Sequence, residues 1–145
     1  MSPEDFERLR RYLEVEVHPI FDAFVLSHDL TRATRLGRYP RVRAERTRDD
    51  GAVLWIEFCM ALDPQGRYFE EFFEGAPHEL GAGVFIDVQE KEELVRYHET
   101  LALYMDRPYV LAVKTLKEDL ERLWEQVASW PNDAVFHGKR NVLRR

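Results

Sequence analysis

From residue 52 to residue 62 the chain reads AVLWIEFCMAL, and every even position in it, Ala52, Leu54, Ile56, Phe58, Met60 and Leu62, is apolar. The odd positions Val53, Trp55, Glu57, Cys59 and Ala61 are mixed. A period of two carried by Val, Trp, Ile and Phe marks a strand whose even face meets a core. Turn residues bracket the run, Asp49-Asp50-Gly51 before it and Asp63-Pro64-Gln65-Gly66 after it, so it reads as the central strand of an antiparallel meander. The preceding segment, 41–47, is apolar only at Val42 and Ala44. That pattern places Val42 and Ala44 beside Phe58 and Ile56 and sets Arg43 opposite Glu57. The register needs a three-residue loop whose last position is left-handed, and Gly51 stands there. After the second turn a third strand is expected over 67–74, with Phe69 and Phe73 facing Met60 and Ile56. A glycine-rich loop at 75–83 and a fourth short strand at 84–88 follow.

Outside this region the period changes. Phe6, Leu9, Leu13 and Val17 recur at three and four, and Ser2 with Pro3 suits a helix start. Pro19 is expected to break or kink that helix near His18, with a second helical stretch through Ile20, Phe21, Phe24 and Val25. Residues 30–40 read either as a short helical turn or as an irregular, arginine-bearing link. Leu94, Tyr97, Leu101 and Tyr104 predict a helix from Glu90 onward. Tyr109, Val113, Leu116, Leu120, Leu123, Val127 and Trp130 predict one long helix closed by Pro131. Its stripe is assigned to internal packing in preference to a coiled-coil seam. A competing local reading makes 109–113 a strand and Thr115 with Glu118 a capping box.

The expected fold is α+β in one domain. A helical region, 1–40, precedes a four-stranded antiparallel meander, 41–88. A C-terminal helical hairpin, 90–130, packs on the even sheet face, and a basic, frayed tail covers 131–145.

Composition narrows the function classes. No run approaches eighteen apolar residues and the N-terminus lacks a secretory pattern, so a cytoplasmic protein without membrane contact is expected. The single Cys59 excludes a disulfide framework. The formal net charge of −6 argues against general nucleic-acid binding. The charge is nevertheless unevenly spread. Arg32, Arg35, Arg38, Arg41, Arg43, Arg46 and Arg48 stand against Glu45 alone, whereas residues 70–93 are acidic apart from Lys91.

Candidate chemistry centres on the odd sheet face, where the expected register gathers Arg43, Trp55, Glu57, Cys59, Tyr68, Glu70 and Phe72. Glu57 and Glu70 over an aromatic floor could form an acid/base pair, because carboxylates sharing a low-polarity site titrate apart. The plainer reading is that Arg43 neutralises Glu57. His18, Asp22 and His28 are the only metal candidates, without the tight spacing of a built site. His78-Glu79 opens a zinc-protease signature, but Ala82 stands where its second histidine belongs. The arginine segment could grip phosphates, with Arg35, Arg38 and Arg41 as candidates. With no catalytic spacing, no phosphate loop and no cofactor motif, the function expected is non-catalytic binding of another protein, of inhibitor, immunity or adaptor type. A small-molecule enzyme or ligand-binding protein, and a nucleic-acid or phosphate binder, are the alternatives. Oligomeric state stays open.

Overall fold

The computed structural model describes residues 3–33, 41–60, 77–131 and 138–143. Its elements in chain order are α1 (Pro3–Tyr12), a π-helical turn (Leu13–Val17), α2 (His18–Ser27), β1 (Thr31–Arg32), β2 (Arg41–Thr47) and β3 (Val53–Met60). They continue with β4 (Pro77–Glu90), β5 (Glu93–Pro108), α3 (Tyr109–Lys114), α4 (Leu116–Ala128) and β6 (Lys139–Val142). The fold is α+β, built on an antiparallel sheet whose described strands run in consecutive order, β1 to β6. Among the described residues no helix is long and apolar enough to cross a membrane.

The β2–β3 pair has the register that parity dictates, with Val42 opposite Phe58, Ala44 opposite Ile56 and Arg43 opposite Glu57. Gly51 takes φ 89°, and Asp50 accepts the Ala52 N–H at 3.0 Å to close the loop. The even positions of β3 are buried from Leu54 to Met60. They share one core with Leu80, Ala82 and Val84 of β4 and with the apolar stripes of the helices, from Leu9 and Phe21 to Leu116, Leu120 and Leu123.

Four expectations are corrected. The second neighbour of β3 is β4, with Met60 opposite His78 and Ile56 opposite Ala82, so the places assigned to Phe69 and Phe73 are taken. The segment 67–74 itself lies outside the described residues. The glycine-rich stretch is strand rather than loop, because Gly83 lies beneath the Trp55 ring and against the Glu99 carbonyl, where a Cβ would fall 2.6–2.8 Å from both. A strand glycine marks such a close approach. Residues 93–108 form a strand in place of the expected helix, and the hairpin turn before it places Lys91 at φ 54°. The sheet therefore has six described strands instead of four. The C-terminal helical hairpin is replaced by the short pair α3 and α4, which breaks at Thr115.

Two smaller features have a physical cause in backbone hydrogen bonding. The helical run is interrupted just before Pro19, where α2 begins at His18. The chain widens into a π turn, closed by His18 N–H to the Leu13 carbonyl, so the missing N–H of Pro19 falls at the start of α2. The tail is partly paired, since β6 adds to β5 at residues 95–98. Of residues 30–40, Thr31 and Arg32 are strand and 34–40 lie outside the described residues.

Candidate functional site

The helices bury the even sheet face, while no described element covers the odd one. Parity brings residues 41, 43 and 45 of β2, 55, 57 and 59 of β3, and 79, 81, 83, 85 and 87 of β4 onto that face. The β4–β5 register adds Arg96, His98 and Thr100, and β6 contributes Asn141 opposite Arg96.

At its centre Trp55 lies flat over Gly83, and the Arg43 guanidinium stands 4.5 Å from the ring centroid. A second stack, Arg96 over Phe85 at 4.1 Å, sits on the next two strands. Each arginine is oriented by a carboxylate of the sheet itself. Arg43 Nε donates to Glu45 at 3.1 Å, and Arg96 donates through Nε and Nη2 to Asp87 at 2.7 and 2.9 Å. That fork holds the Asp87 carboxyl below its ordinary range. The two stacks border a groove of about 310 Å3 that His98 and Asn141 also line. A second hollow, about 160 Å3, lies over Gly81 between Trp55, Glu57, Cys59 and Met105.

The sequence-derived candidates divide sharply. Arg43, Trp55 and Glu57 are brought together. Glu57 lies 3.3 Å from Arg41 and 3.6 Å from Arg43, so its charge is matched twice. Tyr68, Glu70 and Phe72, which were to complete the face, lie outside the described residues, as do Arg35 and Arg38. Cys59 is not poised as a nucleophile. Burial pushes its thiol up to about 11, and Sγ faces the Met60 carbonyl at 3.7 Å. The metal candidates are not assembled into a site. Asp22 accepts from Arg32 at 2.5 Å and His28 pairs with Glu121 of α4 at 2.7 Å, while burial and Arg32 hold the His18 imidazole below its usual range. No group of three ligating side chains occurs among the described residues.

The described arginines of the basic segment are likewise engaged by the chain. Besides Arg32, Arg41 and Arg43, Arg48 binds Asp50 and the carbonyls of Trp130 and Pro131, and Arg46 donates to the His28 carbonyl and stands over Trp124. Reading 90–104 as helix hid Phe85's neighbours Arg96 and His98. The available signal was the alternation of Val95, Tyr97, Leu101 and Leu103 with Arg96, His98 and Thr100, interrupted only at Glu99. No family model matches the chain, and neither a curated protein nor a solved structure matches it.

Proposed function

We propose that the protein is a non-catalytic binder of another protein, of inhibitor, immunity or adaptor type, and that it engages its partner through the odd face of the sheet. The observation that carries this reading is the pair of arginine–aromatic stacks on that face, Arg43 on Trp55 and Arg96 on Phe85. Trp and Arg are enriched among the residues that carry most of the binding energy at the centres of protein interfaces. The double pairing of Glu57 speaks against an acid/base role. The hollow that Glu57 itself lines, over Gly81, is about 160 Å3, smaller than the roughly 300–1,000 Å3 of ordinary small-molecule pockets, and the groove between the stacks, about 310 Å3, only reaches the lower end of that range.

Site-specific photo-cross-linking in the source cells tests the proposal. A benzophenone side chain at Thr100, on the odd face, should give an adduct of defined mass that Trp55→Ala abolishes. The same group at Glu125, exposed on α4, should give none. Absence of any adduct from Thr100, or the same adduct from both positions, refutes the proposal.

A further inference from the structure

We infer that the groove on the odd face takes an acidic, extended segment of the partner, whose carboxylates are received by Arg43 and Arg96. The inference rests on the protein-binding reading above. Each guanidinium has one face on a ring, and its plane is fixed by carboxylates of its own sheet, Asp87 for Arg96 and Glu45 for Arg43, whose Nη1 also lies 3.6 Å from Glu57. Among the described residues Arg43 Nη2 and Arg96 Nη1 make no hydrogen bond, so each fork retains donors for a second anion. A guanidinium held this way loses little freedom when an anion arrives. The groove lining of Arg43, Trp55, Phe85, Arg96, His98 and Asn141 is completed by Thr100 and Leu143 and contains no carboxylate. Glu45 and Asp87 stand outside it.

Spacing gives the shape of the occupant. Val53 pairs with Phe85, so Trp55 and Phe85 are diagonal neighbours, roughly 7–8 Å apart. Alternate residues of an extended chain stand about 7 Å apart. That is the spacing of the two rings along the sheet, and the guanidiniums lean over them from β2 and β5, so acidic side chains on one face of an extended segment lying across the rings face both stacks. A nucleic acid fits less well. Both rings already carry a guanidinium that a stacking base would have to displace, and the groove offers two arginines where a nucleic-acid track needs a run of basic side chains.

The probe is a fluorescein-labelled peptide, Gly-Glu-Val-Glu-Val-Glu-Gly, read by anisotropy against its Gln-for-Glu counterpart. The Glu peptide should bind, the Gln peptide about tenfold more weakly or worse, and Arg43→Gln or Arg96→Gln should each weaken the Glu peptide about tenfold. Arg96→Lys, which keeps the charge and loses the fork, should also weaken it and serves if Arg96→Gln does not fold. Arg122→Gln, on α4, should bind as wild type. Equal binding of the two peptides, wild-type binding by a folded Arg96 variant, or displacement by equimolar oligothymidylate or inorganic phosphate overturns the inference. So does a wild type that sediments as a dimer with this face occluded. A Thr100 photo-adduct alongside any of these outcomes overturns the acidic segment alone. Loss of the adduct removes the protein-binding reading itself.

Discussion

Leu120→Ala tests how the helices are held to the sheet. Leu120 is fully buried in the core that contains Leu54, Ile56 and Phe58, and it lies under the cleft between α2 and α4 beside Ile20 and Phe24. Truncation to Ala removes three carbons, each contributing about 0.8 kcal/mol of transfer free energy, or about 2.4 kcal/mol together. A cavity term adds to this, because Phe24 is pinned edge-on against Trp124 at 6.1 Å and the sheet below cannot rise to fill the space. The cleft is open on its outer side, so water and the flanking side chains can relieve part of that term. The expected loss is about 3–4 kcal/mol, with a melting temperature lower by about 10 °C. Urea unfolding should show a reduced midpoint with an unchanged slope. Leu26→Ala, at a position of α2 that is 83% exposed, should change stability by less than about 0.5 kcal/mol. A loss below about 1 kcal/mol for Leu120→Ala, at unchanged slope, would refute the placement of α4 on the core. Were α4 a dimer seam instead, the wild-type melting temperature would rise with protein concentration.

Other expectations follow from single contacts. Gly83→Ala forces a methyl group against the Glu99 carbonyl and the Trp55 ring and should cost about 1–3 kcal/mol with a shift in Trp fluorescence, whereas Gly81→Ala, whose nearest contact is 3.4 Å, should be far milder; equal effects would defeat the close-approach argument. Asp87 titrates below its unfolded value because Arg96 bonds its charged form, so its contribution to stability is present above the unfolded pKa and is lost as pH falls through the folded one. Carbon-detected NMR should find its midpoint raised in Arg96→Gln, and an unchanged midpoint would sever that link. Cys59 should react slowly with a disulfide reagent at pH 8 and quickly once urea opens the sheet, while fast reaction of the native protein would contradict its burial.

The β2–β3 unit was legible because the even positions of β3 are uniformly apolar, Val42 and Ala44 answer them on β2, and Gly51 sits at a position of positive φ. The β4–β5 hairpin was not. Its turn carries Lys91 at positive φ where Asn or Gly would have announced a hairpin. Gly81 and Gly83 imitate a loop although they lie within a strand under close contact. Leu94, Tyr97, Leu101 and Tyr104 happen to fall at helical spacing, and a bulge between the pairs at Leu80 and Gly81 brings Tyr104 onto the same face as Leu101. The helical stripe of 109–130 held through Leu116, Leu120, Leu123 and Val127. Its break at Thr115 follows a hydroxyl that bonds the Leu111 carbonyl and the buried Asp119 carboxylate, polar contacts four residues to either side that a count of apolar positions does not register. The odd face was half legible for the same reason, through Arg43, Trp55 and Glu57 on the readable strands and not through Phe85, Arg96 and His98.

The consecutive order of the strands bears on how the chain reaches this state. Every described sheet pairing joins neighbours along the chain, so the sheet can grow hairpin by hairpin with short loops to close between β2 and β3 and between β4 and β5. The closures that span the molecule are of another kind. His28 meets Glu121 and Glu16 meets Tyr109, each across 93 residues, and these contacts tie the first helical segment to the last. Such contacts carry the largest loop-closure entropy and are expected to form after the local ones. Weakening the α2–α4 seam should then speed unfolding and leave the folding rate nearly unchanged, making that seam the latch on the native state's lifetime.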